Sequence, residues 1–252
     1  MDKRGQVTIF IIIAVLIIAG VALFFVFRPN LSEKEETVTK DYAPLYSYLQ
    51  DCLEQSLIEV IYINSMQGGY YIPQGDFIIY TDEDVYFDSP IPYYLINNKL
   101  IIPSEKELEN QLASGIRVEF ISCIEFAASE YNLTYNPEEI IVNPDIIKER
   151  IIIELDSSIN INEGENSIRL KNLTVEKESN YFEYYNFAKY LTENQKLDTE
   201  NICISCLVKE SEAKNYTISL SSVASNEEYI LINKLNNKKD DIIFSFAYNF
   251  KR

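Results

Sequence analysis

The chain of 252 residues contains no histidine and no tryptophan, and it has only four cysteines. Without histidine, Ser-His-Asp triads, Cys-His pairs and HExxH zinc sites are excluded. Basic side chains are also scarce, since 22 Lys and Arg stand against 39 Asp and Glu and leave a net charge of −17. Because a phosphate-binding face needs clustered basic residues, we expect no nucleic-acid partner. The composition favours a non-enzymatic role but does not exclude all catalysis.

Residues 7–27 form one long apolar run, VTIFIIIAVLIIAGVALFFVF, without a single charge. A helix of this length, at about 1.5 Å per residue, spans the hydrocarbon core of about 30 Å. A cleaved secretory signal has a shorter apolar region, roughly 7–15 residues, followed by a small-x-small site. Here Phe27-Arg28-Pro29 follows instead. The pattern therefore predicts a retained transmembrane helix, with the lipid bilayer as its partner.

The flanking charges predict the orientation of this helix. Lys3 and Arg4 precede it, whereas Arg28 is followed by glutamates at positions 33, 35 and 36. Positive charge is retained on the cytoplasmic side of a membrane. We expect residues 1–6 to be cytoplasmic, residues 28–40 to form a polar stalk, and residues 41–252 to form an extracytoplasmic domain. The protein would be a single-pass protein of the cell membrane.

The segment Lys3-Arg4-Gly5-Gln6-Val7-Thr8 resembles an archaeal class III, type IV pilin-like signal. The resemblance implies a cut on the cytoplasmic side between Gly5 and Gln6, after which the helix stays as an anchor or as the spine of a filament. Such signals usually carry glutamate at the fifth mature position, where this chain has Phe10. This difference favours the anchor over the filament.

The remaining sequence predicts an α+β domain of two long helices and antiparallel strands. Apolar residues recur at helical spacing from Leu45 to Ile61, and Gly68-Gly69 ends that helix. Ser104 and Glu107 form a capping-box signature before a second apolar face, within which Gly115 is a point for a kink or a break. The two halves of the domain either share one core or divide near residue 137.

Several shorter elements are predicted between and after these helices. Asn97-Asn98 indicates a tight hairpin turn, because asparagine tolerates the left-handed conformation. The last strand alternates apolar and small or polar residues, which predicts one buried face. A helix rich in aromatic residues is predicted from about Tyr181 to Gln195. Its aromatic side chains at 181–190 either pack in the core, which we favour, or stack on sugars or on a partner protein. The remaining predicted elements are strands at 77–80, 85–87, 150–156, 168–175, 216–220, 228–233 and 242–250, with 150–156 and 168–175 joined across 162–166, and a short helix at 203–212.

The four cysteines are the main chemical signal. Cys52 and Cys123 lie on the apolar faces of the two long helices, and a bond between them would close a loop of about 70 residues, worth roughly 4 kcal/mol. Cys203 and Cys206 form a CxxC that is compatible with a local clip. A redox-active dithiol would need a strand before it, and a four-cysteine zinc site would need a second CxxC. The three alternatives stay open, and we expect no resident metal or cofactor.

Four N-x-S/T sequons occur, at Asn30, Asn132, Asn172 and Asn215. They become candidate glycosylation sites because the domain is predicted to lie outside the cell.

The whole chain is also similar to a group of single-pass archaeal surface proteins of unassigned activity. The similarity is carried by KRGQVTIFIII, DCLE, QGGYYI, PSEKELENQL and ICISCL, in that order. It implies an anchor with an outer domain and no enzyme activity. The leading hypothesis is therefore a surface protein that acts by binding or assembly, with envelope or pilus-like proteins as partners. The alternative is an exported thiol-disulfide oxidoreductase that uses Cys203 and Cys206.

Overall fold

The computed structural model describes residues 42–80, 89–131, 133–163, 166–170, 172–197, 202–224, 227–233 and 242–250. The predicted anchor and stalk, Gly5, Gln6, and the sequons at Asn30 and Asn132 lie outside these ranges. Pro44–Arg252 forms one compact unit with an α+β fold. None of the helices in the described ranges has both the length and the apolar character that a membrane crossing requires.

The helices of this unit are interspersed with groups of strands. The helices are α1 (Ala43–Met66), α2 (Glu105–Glu130), α3 (Tyr181–Gln195) and α4 (Ile204–Lys214), and a 3₁₀ turn covers Pro137–Glu139. The strands are β1 (Phe77–Tyr80), β2 (Ser89–Ile96), β3 (Lys99–Leu100), β4 (Leu133–Thr134), β5 (Ile141–Ile147), β6 (Arg150–Asp156), β7 (Ile159–Glu163), β8 (Asn166–Leu170), β9 (Leu173–Glu178), β10 (Thr217–Ala224), β11 (Glu227–Asn233) and β12 (Phe244–Asn249). The predicted strand at 85–87 lies outside the described residues.

The two long helices follow their sequence signals. The apolar face of α1 is buried, and the helix ends at Met66, just before Gly68 and Gly69, which both adopt positive φ. Ser104 caps α2 by accepting a hydrogen bond of 3.1 Å from the Glu107 amide. The helix is not split at Gly115, because α2 continues through it to Glu130. A Cβ at Gly115 would lie 2.6 Å from the Tyr71 ring, so the glycine permits close packing instead.

The largest sheet has the order β1-β2-β12-β11-β10, with β3 also paired to β2. Its pairs are antiparallel except β12 with β2, which is parallel and departs from the purely antiparallel prediction. The predicted single buried face of the last strand is also wrong, since Phe246, Ser245 and Ala247 are all buried. Strand β12 lies in the middle of the sheet, with α3 packed on one face and an apolar cluster around Ala247 on the other.

Two three-stranded antiparallel sheets complete the fold, in the orders β4-β7-β8 and β5-β6-β9. The predicted strand at 168–175 is divided, because Asn172 has φ +43° and separates β8 from β9. The prediction that β6 continues across 162–166 into the next strand is wrong, because Glu163 of β7 pairs with Asn166 of β8. Strand β5 was not predicted. It contains Pro144, which an edge strand tolerates because its outward side needs no ladder donor.

Helix α3 spans the predicted aromatic segment, and its aromatic side chains mostly face the core. Tyr181, Tyr184, Tyr185 and Phe187 are buried, whereas Tyr190 is 45% exposed. Tyr181 meets Phe244 of β12 edge to face, with ring centroids 6.0 Å apart. The aromatic residues therefore attach α3 to the large sheet, as core packing predicted.

Candidate functional site

A disulfide joins the two long helices at Cys52 and Cys123, as their positions on the apolar faces predicted. The two Cα atoms are 5.9 Å apart and the residues are 71 positions apart in the chain. Cys52 is only 3% exposed and Cys123 is half-buried. Tyr48 lies across the bond and donates a hydrogen bond of 3.4 Å to the Cys123 carbonyl. This bond is a cross-link within a packed helix pair.

The second disulfide joins Cys203 to Cys206 at the start of α4. Cys203 is the N-cap residue and is half-buried, whereas Cys206 lies in the first turn and is exposed. The Cys203 amide donates a hydrogen bond of 3.4 Å to the Gln195 side-chain oxygen at the end of α3. Ser205 places its hydroxyl oxygen 3.6 Å from the Cys203 sulfur. The second bond is therefore at the surface, where another molecule can reach it.

Helix α4 lies against the edge of the large sheet. It contacts β10, which is the terminal strand of the order β1-β2-β12-β11-β10. The element before the CxxC is helix α3 and a short connection, not the strand that a thioredoxin-like arrangement requires. The topology thus differs from that arrangement, while the exposure at a helix start matches what thiol-disulfide exchange needs.

The zinc alternative is not available to these sulfurs, because all four cysteines of the chain are disulfide-bonded. A zinc ligand must be a free thiolate. Across the part of the chain that the structure describes, no cluster of three or more His, Cys, Asp or Glu side chains is placed to hold a metal.

Two apolar side chains next to the CxxC were missed by the sequence reasoning. Ile204 is 62% exposed and Val208 is 51% exposed, although both belong to an amphipathic helix that buries Leu207. Positions four apart lie on the same side of a helix. The signal was visible as two branched apolar residues four positions apart around Cys206.

The helix α4 region also contains a tyrosine–carboxylate contact. The Tyr216 hydroxyl lies 3.5 Å from a Glu183 oxygen of α3. Burial, and then the nearby negative charge of Glu183, raise the pKa of Tyr216 to about 12. Tyr216 also meets the rings of Tyr184 and Phe187, at 5.3 and 5.1 Å between centroids. Aromatic packing therefore fixes the end of α4 to α3.

A concave surface lies between α2 and β5 and has a volume of about 620 Å³. Val118 and Ile141 line it and are 54% and 53% exposed. Arg117, at the same surface, donates hydrogen bonds of 3.2 and 2.8 Å to the Pro137 carbonyl. This groove was not predicted, because β5 itself was not recognised as a strand.

Two of the four sequons lie in described residues. Asn172 and Asn215 are both exposed and both adopt positive φ, at +43° and +56°. Asn215 ends α4 in the left-handed conformation, where asparagine is favoured for its backbone alone. Both side chains are accessible to glycosylation. The left-handed backbone conformation alone is enough to explain why asparagine occurs at these two positions.

Comparison with known proteins assigns no relative. No protein-family model matches the chain, and no curated protein or solved structure matches it either. The similarity to archaeal surface proteins with a class III signal therefore stays a prediction.

Proposed function

We propose that this protein is a membrane-anchored surface protein whose outer α+β domain acts by binding or assembly in the envelope or in a pilus-like complex. The observation that supports export is the pair of disulfides in the domain, one of them exposed. Disulfides persist in oxidising compartments outside the cytosol. The apolar run at 7–27 supplies the anchor, and the basic residues Lys3 and Arg4 favour an internal N-terminus.

Protease digestion of intact cells tests the orientation. Full-length protein should sediment with membranes, and protease added outside should degrade residues 41–252 without lysis. A variant that begins at Arg28 should no longer sediment with membranes. Protection from protease in intact cells would contradict the proposal. N-terminal sequencing of the mature protein checks the cut between Gly5 and Gln6.

Cross-linking on intact cells tests the second half of the proposal. A binding or assembly role predicts that the domain is recovered joined to other envelope proteins or to further copies of itself. Recovery of the monomer alone, at cross-linker levels that capture a known envelope complex, would oppose a role in assembly.

A second candidate function is thiol-disulfide exchange at Cys203 and Cys206. The observation that favours it is specific, because the pair is surface-accessible at a helix start beside a sheet edge. Reactive cysteines occur in such partly exposed sites, where the helix N-terminus stabilises a thiolate. The function would be carried by this pair alone, since the Cys52–Cys123 bond is mostly buried.

An insulin-reduction assay with dithiothreitol as the electron source tests this candidate. The full chain in detergent should accelerate insulin precipitation, and the Cys203→Ser/Cys206→Ser variant should not. Precipitation at the rate of dithiothreitol alone would dismiss exchange activity. The variant keeps the buried disulfide, so its fold is checked separately by circular dichroism.

A further inference from the structure

The two sulfurs of the Cys203–Cys206 bond differ in how an attacking group reaches them. Cys206 is exposed in the first turn of α4, whereas Cys203, the N-cap residue, is half-buried. The Cys203 backbone is held by its hydrogen bond to Gln195. Thiol-disulfide exchange needs an approach in line with the bond being broken, so access decides which sulfur is attacked.

The two sulfurs also differ as leaving groups. Cys203 is the N-cap of a helix of 11 residues, and its side chain accepts no capping hydrogen bond in the disulfide form. A thiolate released there gains the partial positive charge of the helix N-terminus and lies near the Ser205 hydroxyl. A better-stabilised thiolate leaves faster. Access and leaving-group stability therefore favour the same direction of attack.

We infer that an incoming thiolate attacks the sulfur of Cys206 and expels Cys203. This rests on the exchange activity proposed above. The new bond joins the partner's sulfur to Cys206, and the electron pair of the broken bond leaves with Cys203, which takes a proton from water. A second thiolate of the partner then attacks the partner's own sulfur and releases Cys206. The partner's dithiol is oxidised to a disulfide, and two electrons and two protons pass to the Cys203–Cys206 pair.

Mapping the first mixed disulfide tests the direction of attack. The oxidised full chain in detergent is mixed with 2-mercaptoethanol, trapped early with excess N-ethylmaleimide, which alkylates the expelled cysteine and the remaining free thiol, and then digested with trypsin. The fragment from Leu197 to Lys209 carries both cysteines and lies between two cleavage sites. We expect the Cys206 adduct to exceed the Cys203 adduct by about tenfold. Equal adducts, or more on Cys203, would overturn the direction, whereas no adduct on either would overturn exchange activity itself.

Discussion

The two disulfides of this domain make the same covalent bond in opposite settings. Cys52–Cys123 closes a separation of 71 residues between two long helices, and Cys52 is 3% exposed. Cys203–Cys206 closes a separation of 3 residues on the surface, and Cys206 is exposed. Loop length decides how much a bond restricts the unfolded chain, and exposure decides whether another thiol reaches it. The first setting favours stability and the second favours reactivity.

Removing each bond in turn gives the largest expected contrast. Cys52→Ser/Cys123→Ser should lower the free energy of unfolding by about 4 kcal/mol, because the long loop regains entropy when unfolded. Cys203→Ser/Cys206→Ser should lower it by at most about 2 kcal/mol, since its loop is short. Urea titrations of the full chain in detergent measure both values.

The same variants supply their own check. Each leaves one disulfide intact, so a thiol count on the unfolded protein verifies that only the intended bond is gone. If the CxxC variant lost as much stability as the helix-pair variant, the division between a structural and a reactive bond would not hold.

The sequence predicted the helix-pair region better than the region around α4. Burial of one helix face and a serine cap are local signals, so α1 and α2 appear close to where they were expected. The parallel pairing of β2 with β12 joins segments about 150 residues apart and has no local signal. The CxxC was visible, but its exposure depends on how α4 packs against β10, which no spacing encodes.

Gly115 tests how closely the helix-pair region is packed. Gly115→Ala should improve helix propensity by about 1 kcal/mol, yet the new Cβ would lie 2.6 Å from the Tyr71 ring and 2.7 Å from Val60. The steric overlap should outweigh the gain in helix propensity and lower the free energy of unfolding by about 1–2 kcal/mol. Ser114→Ala, at the adjacent exposed position, is the matched control and should change stability little. A more stable Gly115→Ala variant would mean that Tyr71 and Val60 shift easily to make room for the new Cβ.

The N-terminal caps of α2 and α4 also differ between the two regions, because one helix has a side-chain cap and the other has none. Ser104 accepts a hydrogen bond from the Glu107 amide, whereas the Cys203 side chain makes no such bond. Ser104→Ala should therefore cost about 1 kcal/mol. At the other helix, Cys203→Ser/Cys206→Ser should be more stable than Cys203→Ala/Cys206→Ala by a similar amount, because a hydroxyl can cap α4. Equal stability of those two variants would show that α4 gains nothing from a cap.

The smallest expected effect is a loss of stability at alkaline pH. It is measured on one tyrosine from each region, Tyr71 beside the helix pair and Tyr216 beside α4. Burial and then the Glu119 contact raise the pKa of Tyr71 to about 12, and burial and then Glu183 raise the pKa of Tyr216 to about 12. A raised pKa favours the neutral phenol in the folded state. This contribution is fully present below pH 10.0, the ordinary pKa, and is lost as the pH rises through about 12.

Urea titrations at pH 8 and pH 11 separate the two tyrosines. The native protein should lose stability between these values, and Tyr71→Phe and Tyr216→Phe should each lose less, because phenylalanine does not titrate. Tyr71 donates a hydrogen bond of 2.7 Å to Glu119, whereas Tyr216 lies 3.5 Å from Glu183. The shorter bond holds the neutral phenol more firmly, so Tyr71→Phe should also cost more at pH 8. A larger cost for Tyr216→Phe at pH 8 would place the tighter polar contact beside the reactive disulfide and weaken the contrast between the regions.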